Sequence, residues 1–193
     1  MSSLHDFLDI AEGFNVRYAL LGAIAVSAWC PYRKTHDIDV AVDRADLWKL
    51  KNGLIPLGYV LVENPRLEKF EFKHRSKGDI DVYINKISGI NVADLLERSV
   101  ERELEGRRVR VASLEDLILL KAKAGRERDM SDASVILVNF WDKLDWEYLK
   151  GRALDLKVDL KLFLIKSLDR IPISVNNIPK VRKELKELVE ERL

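Results

Sequence analysis

One cysteine, Cys30, stands in 193 residues, which excludes a disulfide within the chain and makes a reducing compartment the natural setting. Glutamine is missing altogether, while 34% of residues are charged. That preference for Lys, Arg and Glu over thermolabile amides points to a thermophilic source. No run approaches the ~20 apolar residues of a bilayer span, and the start of the chain lacks the features of a secretory signal. The expectation is a soluble cytoplasmic protein with no membrane partner. Neither sign of charge is in surplus: 33 Lys and Arg stand against 32 Asp and Glu. Bulk charge therefore weakens the case for a nucleic-acid partner without removing it. Low-complexity segments and internal repeats are also lacking, and 47% hydrophobic residues suffice for a core.

What is present changes texture near residue 112. Before it, short apolar and alternating segments follow one another. Leu4, Phe7, Leu8 and Ala11 recur at helical spacing up to Gly13, and Arg17 to Leu21 reads as a buried strand. Ile24 to Trp29 is a short apolar helix ended by Pro31. His36 to Val42 alternates as a strand, Ala45 to Leu57 is an amphipathic helix, and Tyr59–Val62, Leu67–His74 and Asp79–Ile84 are strands. Val100–Leu104 and Arg107–Val111 flank Glu105-Gly106 as a tight hairpin. After Ser113 helical periodicity runs almost to Leu193, broken at Pro172 to Pro179. The division expected is an α/β (α+β) core over 1–112, a small mixed sheet flanked by helices, and a helical region over 113–193.

Asp37 and Asp39 are two apart in a strand pattern, which directs both carboxylates to one face and leaves Ile38, Val40 and Val42 for the core. Like charges so close resist joint ionisation, and a divalent cation bound through oxygen ligands removes that penalty. Asp79, Asp81 and Tyr83 share one face of a later strand; if the two strands are neighbours, one or both later acids join the first pair. Such patterns also arise by chance on solvent-facing positions, so the preceding residues have to discriminate. Upstream, a strand leads into Gly22-Ala23 and a short helix, where backbone can approach phosphate at a helix N-terminus. Arg33 and Thr35 then place a cation and a hydroxyl immediately before the acids.

Glycine turn, short helix and D-x-D in this order resemble the nucleotidyltransferase superfamily that includes DNA polymerase beta. The segments Gly22-Ala23-Ile24-Ala25, Arg33 to Asp39 and Ile80-Asp81-Val82, and the stretch from Ser113 to Asp132, are similar to a small prokaryotic branch. That branch includes toxins of abortive-infection toxin–antitoxin pairs. The resemblance covers Arg17 to about Asp132. It departs at Ala23, where a second glycine or a serine is usual.

The resemblance implies a nucleotidyltransferase fold and transfer of a nucleoside monophosphate from an NTP such as ATP to an acceptor hydroxyl, with release of pyrophosphate. Asp37, Asp39 and Asp81 would be metal ligands for two Mg²⁺ ions, or Mn²⁺ in their place, and Asp81 also the base. Gly22, Ala23, Arg33 and Thr35 would meet the triphosphate. Lys121, Arg128, Asp129 and Asp132 fall where the family directs polar residues to the cleft; a solvated helix face with i,i+4 pairs accounts for them equally well. The acceptor stays open among an RNA end, a protein side chain and a small molecule such as an aminoglycoside, and an antitoxin-like partner is implied by the toxin branch. The alternative is a noncatalytic nucleotide-binding or partner-binding module with the same fold. Cys30 reads as a buried structural thiol, His36 as a strand-edge histidine, and Trp141, Trp146 and Tyr148 as packing between helices.

Overall fold

The computed structural model describes residues 2–30, 35–64, 68–171 and 177–193. Contacts divide the chain into two compact units, Met1–Ser113 and Leu114–Leu193.

The first unit runs α1 (Ser3–Gly13), β1 (Tyr18–Leu20), α2 (Gly22–Trp29), β2 (Ile38–Val42), α3 (Leu47–Leu54), β3 (Val60–Asn64), β4 (Lys69–Lys73) and β5 (Ile80–Tyr83). A small hairpin of β6 (Lys86–Ile87) and β7 (Ile90–Asn91) follows, then α4 (Val92–Arg98), β8 (Val100–Leu104) and β9 (Arg107–Val111). One mixed sheet takes the order β3-β4-β5-β2-β1-β9-β8. β2 and β5 are parallel, as are β1 and β9, and the other neighbours are antiparallel.

Apolar alternation decides which side of each strand is buried. Ile38, Val40, Val42, Leu20, Ile80, Val82 and Phe72 are essentially inaccessible. Register sets Leu20 against Val40, and Ile80 against both Ile38 and Phe72. Phe7 of α1 meets Tyr18 edge-on at 5.1 Å, and the Lys51 ammonium of α3 lies 5.1 Å over the Phe70 ring. These contacts put α1 and α3 on the apolar side of the sheet, because Tyr18 is the register partner of Val42 and Phe70 that of Val82. The β8–β9 hairpin turns at Glu105 and Gly106, both with positive φ (51° and 76°), the geometry whose twist suits a two-residue loop.

Three local departures from the sequence reading have physical causes. Helix α3 is confined to Leu47–Leu54: the Asp43 carboxylate accepts the Ala45 N–H and tightens Arg44–Asp46. Pro56 and the left-handed Gly58 then close the 3₁₀ turn Ile55–Leu57. The β6–β7 hairpin and α4 have no counterpart in the sequence pattern; Ser88-Gly89, both at positive φ, make the turn. Strand β2 begins at Ile38 rather than His36.

The second unit consists of α5 (Leu114–Ala124), α6 (Glu127–Phe140), α7 (Trp146–Asp155), α8 (Leu160–Ser167) and α9 (Ile178–Arg192), around Leu117, Ile118, Ile136, Leu137, Leu149, Leu164 and Val189. Its buried charges are matched. Asp116, fully inaccessible, accepts the Tyr148 hydroxyl at 2.7 Å, and Glu115 accepts the Asp145 N–H at 3.0 Å. Tyr148 therefore ties helices together as expected, whereas Trp141 stays 43% exposed. Among the described residues no helix is long and apolar enough to cross a membrane.

Candidate active site

Register builds a row of side chains across the sheet. Asp39 on β2 is paired with Asp81 on β5, Asp81 with Glu71 on β4, and Glu71 with Val62 on β3. Directly opposed residues project from one face, so three carboxylates of different strands line up on the side away from the apolar core. Tyr83 follows Asp81 on the same face and is paired with Lys69 and Ala41.

Opposed like charges destabilise a sheet unless compensated, and here a lysine supplies the compensation. Lys69 Nζ lies 2.8 Å from Glu71 Oε1 and 2.9 Å from Asp81 Oδ2, while Lys73 Nζ lies 3.1 Å from Glu71 Oε2. Burial works against the Lys69 charge, but its bonds to Glu71 and Asp81 outweigh it and raise its pKa. Burial raises the Asp81 carboxyl above its ordinary value despite the pull of Lys69, with Glu71 and Asp79 adding to the rise. Burial, followed by the charges of Asp39 and Asp81, likewise pushes the Tyr83 phenol up.

Gly22 opens α2 at φ 62°, in the left-handed region. A β-carbon there would lie 3.2 Å from the carboxyl carbon of Asp39 and closer still to its Oδ2. The turn and the acid strand are tied by the Leu21 N–H donating to the Asp39 carbonyl at 2.8 Å. Leu21 offers no side-chain cap, so the positive end of α2, carrying Gly22 and Ala23, begins beside the Asp39 carboxylate.

Asp37 lies in a bend before β2, not within the strand. The reason is hydrogen bonding, chiefly to a residue distant in sequence: its Oδ1 accepts the Asp79 N–H at 3.0 Å, and its carbonyl accepts the Thr35 hydroxyl at 3.1 Å. Ser3 at the start of α1 donates to the His36 carbonyl at 2.7 Å. The left-handed Gly78 passes so close to that carbonyl that no side chain would fit. His36 is thus exposed in this bend, not at a strand edge, and Cys30 ends α2 half-buried. Asp79 accepts the His74 N–H at 3.2 Å and so closes the 74–79 turn. Arg33 falls outside the described residues.

The other four candidates belong to the second unit. Lys121, Asp129 and Asp132 are buried at 6%, 1% and 0% exposure. Lys121 Nζ reaches Asp132 Oδ2 at 2.5 Å and Asp129 Oδ1 at 3.4 Å, and Arg126 Nε bonds Asp129 Oδ2 at 2.7 Å. Arg128 is exposed.

Among the described residues no three His, Cys, Asp or Glu side chains are grouped to hold a metal ion as they stand. The donor chemistry nevertheless fits a hard divalent cation. Asp39 and Asp81 are side by side, and Asp37 precedes Asp39 by two residues. Lys69 and Glu71 were legible only as the polar half of an alternating strand; nothing local in the sequence announces that β4 pairs with β5 beside the acids.

Comparison with known proteins bears on the family and the fold. A family model described as nucleotidyl transferase of unknown function (DUF2204) matches residues 69–187, more than half of the chain. No curated protein is similar at a significant level. Among solved structures, the lincosamide antibiotic adenylyltransferase LnuA with lincomycin bound superposes with a TM-score of 0.57 at 21% identity, over 69% of this chain and 93% of that one. ANT(2'')-Ia in complex with adenylyl-2''-tobramycin gives 0.50 at 17%, over 96% and 95%. The Thermotoga maritima protein TM1012 gives 0.50 at 16%, over 66% and 89%. At these identities the likeness is one of fold: a mixed α/β architecture shared with nucleotidyltransferases. The chain belongs to the family of nucleotidyl transferases of unknown function and, through it, to the nucleotidyltransferase superfamily.

Proposed function

We propose that the protein moves a nucleoside monophosphate from an NTP to an acceptor hydroxyl and releases pyrophosphate. The observation that carries this reading is the in-register pairing of Asp39 and Asp81 on parallel strands, with Gly22 making room for Asp39 at the start of α2. In this proposal residues 1–112 are the catalytic core and 113–193 its helical companion.

Asp37, Asp39 and Asp81 would hold divalent cations, Mg²⁺ or Mn²⁺. When bound, these would supply the positive charge that keeps the acids ionised together and neutralises the triphosphate. The backbone N–H groups of Gly22 and Ala23 donate to phosphate oxygens, as a helix N-terminus favours, and Thr35 and Arg33 flank them. The acceptor oxygen bonds to the α-phosphorus, the bond to the β-phosphate oxygen breaks, and Asp81 takes the hydroxyl proton. Arg128 is an exposed cation of the helical companion. Lys121, Asp129 and Asp132, paired with one another, are given a positioning part, setting α5 against α6.

A small-molecule hydroxyl is the favoured acceptor, since LnuA is an antibiotic adenylyltransferase and ANT(2'')-Ia was captured with an adenylylated antibiotic. RNA ends and protein side chains, and with them the toxin reading and its antitoxin partner, are the arms against which it is measured. One observation favours a noncatalytic binding module instead: Asp81 is already engaged by Lys69. Incubation with each α-labelled NTP and Mg²⁺, in the presence of antibiotics, RNA and proteins, decides between them. Label on an acceptor with matching pyrophosphate supports transfer. Nucleotide binding without pyrophosphate release supports the module.

A further inference from the structure

We propose that Lys69 is a positioning residue of the acid row, the resident counterion that holds Asp81 to Glu71 until a divalent cation replaces it at Asp81. This rests on the reading of Asp81 as a metal-binding acid. Three observations carry it. One ammonium, 13% exposed, bridges Asp81 and Glu71 at 2.9 and 2.8 Å. The two acids are direct register partners, so without a cation between them their charges would oppose one another across a single strand gap. The bridge is also asymmetric: Glu71 has a second lysine, Lys73, at 3.1 Å on its other oxygen. Lys69 can therefore leave Asp81 while keeping Glu71 Oε1, a small displacement with the ammonium never stripped of its partner.

The arrangement has a chemical consequence. With Lys69 in place, Asp81 Oδ2 is committed to an ammonium and is not free to take a metal. Arrival of a divalent cation at Asp39 and Asp81 competes with Lys69 for the same oxygen and repels it. Lys69 thereby makes the acid row stable when empty and opposes loading by any cation too weak to displace it. Glu71 is the parking place that makes the exchange reversible.

The test is titration of the nucleotide-free protein with Mn²⁺, followed by loss of the free-ion electron paramagnetic resonance signal, in the parent, Lys69→Met and Lys69→Arg. Loss of a competing charge-assisted hydrogen bond should tighten Mn²⁺ binding about tenfold or more in the Met variant, with the Arg variant close to the parent. Metal-free melting should fall in the Met variant and recover with Mn²⁺. Equal Mn²⁺ affinity in parent and Met variant overturns the role of Lys69 alone. Absence of binding in all three overturns it together with the metal-site reading beneath it. Should the Met variant fail to fold, the parent supplies the answer through lysine acylation mapped by mass spectrometry. Lys69 should label several-fold faster with Mn²⁺ than without, while Lys180 and Lys183 on α9 stay constant; unchanged labelling of Lys69 overturns the proposal.

Discussion

Gly22 and Asp39 share a space that has no room for a β-carbon: one placed on Gly22 would meet the Asp39 carboxyl group at 3.2 Å and its Oδ2 closer still. Gly22→Ala therefore carries two penalties, a left-handed backbone at φ 62° and a displaced carboxylate. The first alone costs about 1–2 kcal/mol. Thermal melting should drop by roughly 2–8 °C, and calorimetric titration should show weakened NTP binding. A Gly22→Ala variant that melts and binds like the parent would sink the proposal that this turn and Asp39 form one site.

Asp39→Asn should abolish pyrophosphate release and leave the metal-free melting temperature level or higher, because a charge beside Asp81 is removed. Asp37→Asn should also abolish release. Its amide oxygen can still accept the Asp79 N–H, so the fold persists, whereas Asp37→Ala loses that bond and should melt lower. Near-normal turnover in either Asn variant removes these acids from the site.

Asp81 and Asp79 should separate. Asp81→Asn is expected to lose activity by orders of magnitude, as loss of a base and ligand does, while Asp79→Asn, which keeps an acceptor for the His74 N–H, should stay within about tenfold of the parent. The opposite ranking would transfer the third acid to Asp79.

Lys121 and Asp132 form a buried pair in the second unit. Removing one partner strands a charge, so Lys121→Met or Asp132→Leu alone should cost about 3–5 kcal/mol, and the two together much less. Urea unfolding of the three variants measures this. Additive losses would contradict a direct pairing.

Asp129 predicts the acid limb of stability. Burial opposes its charge, but hydrogen bonds from Arg126 and the charge of Lys121 outweigh it and hold the carboxyl below its ordinary value. A lowered folded pKa means that the stabilisation is present above the unfolded value and disappears as pH falls through the folded one. Asp129→Asn should therefore flatten the decline in melting temperature below about pH 4. A decline as steep as the parent's would show that Asp129 does not drive it.

Much of the secondary structure was legible because it is written in short-range chemistry. Alternation of Ile38, Val40 and Val42 fixes a buried strand face. Glu105-Gly106 accept the positive φ of a two-residue hairpin, and Leu4, Phe7, Leu8 and Ala11 line one side of α1. The proximity of Asp37 to Asp39 is likewise a matter of two residues. Legibility failed where a distant atom decides. Asp37 leaves the strand because the Asp79 N–H, 42 residues on, takes its carboxylate. The polar halves of β4 gave no sign of their partners, since a lysine on a strand looks the same whether it faces water or an acid.

By itself, then, the sequence determined the mixed core followed by helices, the acidic and glycine motifs, and the apolar faces, all of which follow from backbone periodicity and side-chain type. Tertiary structure alone decided that β5 runs parallel beside β2 and antiparallel beside β4. That pairing sets Asp39, Asp81 and Glu71 in one row and brings Lys69 between two of them. The physical reason is that strand order and register are chosen by burying the apolar sides of all the strands together, a condition on the whole sheet that no single segment contains.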